Sequence, residues 1–94
     1  MDGEISSQSL IKRADFGYST KAGETRVLVN ALDGRFFKMD AIVADIWSRL
    51  EQPKSYEDLC TALCRDYRGE AETIRLQTER LLARLKEYQL IEVL

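Results

Sequence analysis

Ninety-four residues with a net charge of -2 and no histidine make one domain and narrow its chemistry at once. Acids and bases are interspersed, which weakens a nucleic-acid reading because phosphate binding needs a concentrated basic surface, and no apolar run approaches the roughly 18 residues of a membrane span. Lacking histidine, the chain lacks the commonest general base and the commonest metal ligand.

The start, MDGEISSQSLIKRAD, has no continuous apolar stretch behind a basic end and is not expected to act as a secretory signal. Residues 1–9 are polar and are expected to form a loose tail ahead of a domain over 10–94. With two cysteines and no export signal, the chain is expected in the cytoplasm with its thiols reduced.

Leu10 and Ile11 are expected to open a first strand that Phe16 to Thr20 continue, with a turn at Lys21 to Glu24. Thr25 to Ala31 is rich in β-branched residues and predicts a second strand. Asp33-Gly34 signals a tight turn, and Arg35 to Met39 is the returning third strand. Its alternation places Arg35, Phe37 and Met39 on one face and Phe36 and Lys38 on the other, so neither face is purely polar.

From Asp40 the apolar period changes to that of a helix. Asp40 predicts an N-cap for a helix to about Leu50, with Ile42, Val43, Ile46, Trp47 and Leu50 on one face. Pro53 interrupts, and Ser55 caps a second helix whose core stripe is Tyr56, Leu59, Cys60, Leu63, Cys64 and Tyr67. Gly69 stops it. A third helix runs from about Glu70 to Tyr88, with Ile74, Leu81, Leu82, Leu85 and Tyr88 facing inward, and Ile91 to Leu94 is expected to pack back onto the fold. The order predicts an α+β, winged helix-turn-helix-like domain: a three-stranded antiparallel sheet followed by three helices.

Candidate catalytic and metal sites fail on their chemistry. Cys60 and Cys64 are one helical turn apart, but a thiolate zinc site needs four ligands and the chain has no further Cys and no His. Both fall on the apolar stripe and read as small hydrophobes, as Trp47 reads as a core anchor. The carboxylates come with no nucleophile, and the glycines form no phosphate-cradling loop. Nothing in the sequence asks for a cofactor, and the chain reads as a non-enzyme.

The third strand is the informative element. If sheet order follows the chain, Arg35 to Met39 lies at an edge with its outer backbone groups unpaired. Arg35 and Lys38 then either shield that edge or attract an acidic peptide that adds a strand to it. An exposed edge also admits a homodimer by edge pairing, alongside a monomer.

Val27 to Asp40, with Asp33-Gly34 at the turn and Phe36-Phe37 on the return strand, followed by Ala44-Asp45-Ile46-Trp47-Ser48-Arg49-Leu50, resembles the PqqD family pattern. Pro53 to Leu59 and the ending Leu81 to Leu85 through Leu90 to Val93 extend the similarity over roughly residues 25 to 94. The resemblance implies a recognition element that binds the leader of a ribosomally made precursor peptide as a strand added to the third strand, against the third helix. It implies delivery of that peptide to a modifying enzyme such as a radical-SAM enzyme, a leader protease or a cyclase. Carried onto this chain, the role falls on Arg35, Phe36, Phe37, Lys38 and Met39, with Gln77, Arg80, Leu81 and Arg84 as the helical wall. The family members of pyrroloquinoline quinone synthesis carry a Pro-Gly segment near their start, where this chain has Leu10 to Gly17. A lasso-peptide or other modified-peptide pathway is thus implied as much as the quinone pathway. The competing reading, a winged-helix DNA-binding protein, needs a basic recognition helix, whereas Ser55 to Tyr67 carries Glu57, Asp58 and Asp66 against Arg65 alone.

Overall fold

A computed structural model describes residues 5–94. In chain order the elements are β1 (Leu10–Arg13), β2 (Gly17–Ala22), β3 (Thr25–Asn30), β4 (Phe36–Lys38), α1 (Ala41–Arg49), β5 (Lys54–Ser55), α2 (Tyr56–Asp66), α3 (Ala71–Glu87) and β6 (Ile91–Val93). The expected α+β order is present, and a second small sheet is added to it. One sheet has the order β2-β3-β4 and the other β5-β1-β6, both antiparallel.

The segment expected to be one first strand is thus two strands in two sheets. The break follows from Ala14, which is buried, and whose N–H donates to Leu90 O at 2.9 Å while its own carbonyl accepts from Gly17 N–H at 3.0 Å. That turn redirects the chain, and Gly17 fits where little else does: a Cβ there would sit 3.3 Å from Trp47 Cη2. The C-terminal segment packs back as expected, but as a strand, with Ile91 opposite Arg13 and Val93 opposite Ile11. Of the stretch expected to be a loose tail, residues 1–4 lie outside the described residues. Within the rest, Ser7 O and Ser9 O accept from the N–H groups of Glu57 and Tyr56, the first residues of α2, and Ile5 packs against the core.

The helices begin where their caps place them. Asp40 accepts from Val43 N–H and Ser55 from Asp58 N–H, each satisfying one of the donors that a helix start leaves free. No side chain caps α3, whose Leu, Arg, Glu and Lys content favours helix on its own. One core joins all layers: Ile11, Leu28, Ile46, Leu50, Leu59, Leu82, Leu85 and Leu90 are fully or almost fully buried. Trp47 is in it, and Arg13 lies over its ring, 4.6 Å from the centroid, while Arg13 Nε donates to Trp47 O. Cys60 is buried as expected, while Cys64 is only partly covered.

Candidate peptide-binding groove

β4 is at an edge of its sheet, paired on one side with β3 in the register Val27↔Lys38, Leu28↔Phe37, Val29↔Phe36. Flanking bonds set which backbone groups are used: Met39 N–H donates to Arg26 O and Asn30 N–H to Arg35 O, both at 2.9 Å. In an antiparallel ladder these alternate, so Arg35, Phe37 and Met39 turn their polar groups toward β3. The N–H and C=O of Phe36 and Lys38 therefore point away from β3, on the open side of the edge strand.

Side chains alternate across the same strand. Phe37 is buried, whereas Phe36 is 66% exposed and Lys38 is exposed. Behind Phe37 stands the C-terminal half of α3. Tyr88 meets the Phe37 ring edge-on at 5.2 Å, and the Arg84 guanidinium covers it at 4.9 Å. Arg35 lies over Tyr88 at 5.0 Å, which explains how a cation shares a face with Phe37: it closes the end of the row, on an aromatic ring. Arg35 is held there by Asp33, at 2.9 Å, and by Glu87 O. The Arg35 backbone N–H, with its guanidinium, in turn keeps the Asp33 carboxyl below its usual range.

Between β4 and α3 is a cavity of about 360 Å³ lined by Phe36, Phe37, Lys38, Asp40, Val43, Leu81, Arg84 and Tyr88. A smaller cavity of about 130 Å³ adjoins it through Leu81, with Ile42, Ile46, Leu63, Tyr67, Ile74, Gln77 and Thr78 among its walls. Tyr67 is fixed there by donating its hydroxyl to Asp45, a bond that raises its pKa.

The structure thus brings together six of the nine residues read from the sequence as the site: Phe36, Phe37, Lys38, Leu81 and Arg84 line the groove, and Arg35 closes its end. Gln77 belongs to the adjoining cavity, Met39 packs against the core, and Arg80 is exposed and lines neither cavity. Tyr88, Val43 and Asp40 were missed as groove residues, since their core-facing or capping signals accounted for them fully. Ile42 was expected in the core, but it is 45% exposed and borders the smaller cavity.

Also missed was Asn30, which holds the groove's shape. It is fully buried; its Nδ2 donates to Tyr88 O at 3.0 Å, and its Oδ1 accepts from Leu32 N–H at 2.8 Å and from Asp33 N–H. A strand-ending Asn followed by a turn was the signal available for it. Among the described residues no cluster of three or more His, Cys, Asp or Glu is placed to hold a metal. What the groove offers is an open row of backbone donors and acceptors beside a half-apolar trough, an arrangement suited to pairing with an extended chain.

The family model described as "Coenzyme PQQ synthesis protein D (PqqD)" matches residues 25–91. Among solved structures, "TbiB1 in Complex with the TbiA(beta) Leader Peptide" is similar, with a TM-score of 0.74 and 30% identity over 86% of this chain and 94% of that one. No curated protein matches the sequence. With strand β3, the β4 edge and all three helices inside the matched span, this chain belongs to the PqqD family.

Proposed function

We propose that this domain is a non-catalytic recognition element: it binds the leader of a ribosomally synthesised precursor peptide as a strand added to β4 and presents it to a modifying enzyme. The observation that carries this reading is the outward-facing N–H and C=O groups of Phe36 and Lys38 above a cavity of about 360 Å³ walled by α3. An added strand would pair with these two residues, and its intervening side chain would enter the groove against Phe37. Membership of the PqqD family supports the reading, as does the similarity to a protein solved with a leader peptide bound. The partner enzyme is of the radical-SAM, leader-protease or cyclase kind, in a lasso-peptide, pyrroloquinoline quinone or related pathway. A cytoplasmic location is part of this proposal; among the described residues no helix is long and apolar enough to cross a membrane.

The DNA-binding alternative gains no support from α2. Arg65 is held by Asp66, and Glu57 and Asp58 are exposed at the helix start.

The test is a fluorescence-polarisation titration of the protein with the labelled leader of the precursor encoded beside it. Saturable binding is expected. A folded protein that does not bind the leader overturns the reading.

A further inference from the structure

Cations and acids on the groove wall do not balance. Lys38 and Arg84 both line the larger cavity, and no described carboxylate comes within 4.0 Å of either charged group. The other cations near the site are differently placed: Arg35 is paired with Asp33, and Arg80 lines neither cavity. One acid, Asp40, shares the wall, but its Oδ1 accepts from Val43 N–H as the cap of α1. Lys38 projects from the face of β4 opposite Phe37, so Arg84 is the cation set over the Phe37 side of the trough, and no described carboxylate is paired with it. Arg84 is also positioned, because its guanidinium lies over the Phe37 ring, 4.9 Å from the centroid.

We infer that the groove selects an acidic peptide: the added strand carries an Asp or Glu whose carboxylate is received by Arg84, on the Phe37 side of the strand. The inference rests on the strand-addition reading above and adds to it the chemistry of one ligand position. Backbone pairing on β4 is indifferent to sequence, so it sets no register by itself. A carboxylate received by a positioned guanidinium does, because sliding the peptide by one residue sends that side chain to the opposite face of the strand. The rest of the trough, with Phe37, Val43, Leu81 and Tyr88, then takes apolar neighbours.

The experiment is a selection of random twelve-residue peptides displayed on phage, run against the intact protein and against Phe36→Pro, which removes an outward N–H without touching either cation. Peptides that bind the protein and lose affinity on Phe36→Pro are expected to share one acidic position. Replacing that residue by Asn or Gln should weaken binding about tenfold, the scale of a charge-assisted hydrogen bond. Arg84→Glu should weaken the acidic peptide and improve its Lys-substituted form, and the milder Arg84→Gln should lose the preference without reversing it; circular dichroism shows that both variants fold. Edge-dependent binders with no fixed acid would overturn the acidic position and leave strand addition standing. Binders indifferent to Phe36→Pro, or no binders at all, would overturn both.

Discussion

The Asn30 side-chain amide donates to the carbonyl of Tyr88 at 3.0 Å, tying the end of β3 to the C-cap of α3. That carbonyl is among the acceptors a helix end leaves without an internal partner. The bond therefore spans the groove's two walls: β4 returns from the loop that Asn30 organises, and Tyr88 supplies the ring that meets Phe37. Asn30→Ala should lower stability by about 1–3 kcal/mol, because it strands buried polar groups on both sides. Asn30→Asp should cost no less, since it keeps the acceptor but sets a buried carboxylate against the Tyr88 carbonyl. Urea unfolding with an unchanged slope would measure both, and a midpoint equal to that of the parent would refute the role.

Phe36→Pro separates the edge from the fold. Proline is tolerated on an edge strand where the lost N–H faces solvent, and the Phe36 N–H is such a group. Stability should change by less than about 1 kcal/mol. Leader binding should fall about tenfold relative to Phe36→Ala, which loses the ring but keeps the donor. Equal binding by the two variants would mean that no strand pairs there.

Much of this was legible before the structure because the signals were local. Asp40 and Ser55 cap helices where a side-chain oxygen precedes an apolar period, and Asp33-Gly34 turns the chain where Gly34 has a φ of 76°. The edge status of β4 followed from chain order alone. What escaped were relationships between distant segments. Lys54–Ser55 and Ile91–Val93 are too short for a periodic signal, and they become strands only because β1 lies between them. The divide between β1 and β2 depends on Ala14 bonding to Leu90, far along the chain. On α3 the helical period correctly marked Leu81 and Tyr88 as inward, but it could not say that inward at that end means the wall of a groove.

Cys60 should be inert in the folded protein. It is fully buried, and burial raises its thiol pKa, so it stays protonated at neutral pH, and the thiolate is the reactive form. Alkylation by iodoacetamide followed by mass spectrometry should label Cys60 only after denaturation. Labelling of Cys60 at the same rate in native and denatured protein would contradict its place in the core.

Gly17→Val tests the join between the two sheets. A Cβ at this position meets Trp47 Cη2 at 3.3 Å and Leu90 O at 3.4 Å, and one of those contacts is backbone. Two further methyls cannot be absorbed by moving a flexible side chain, so a loss of about 1–3 kcal/mol is expected, the scale of an overpacked core. The Trp47 fluorescence should shift to the red as its cover loosens. A variant with the parent's emission and melting temperature would show that the turn yields easily.

Two substitutions on facing groove walls should behave differently, and the difference separates folding from binding. Phe37 is buried in the core cluster, so Phe37→Asp strands a carboxylate among apolar neighbours and should unfold the domain, seen as loss of its circular-dichroism signal. Leu81 is only half-buried, and a Glu in its place lies one helical turn before Arg84, within reach of that guanidinium. Leu81→Glu should therefore stay folded while its carboxylate takes the charge that a leader acid would use. Leader binding should fall about tenfold or more, and Arg84→Gln in the same chain should add little further loss, because the interaction is already spent. Full additivity of the two losses would show that Leu81 acts only by apolar contact and that Arg84 is not where the introduced acid goes.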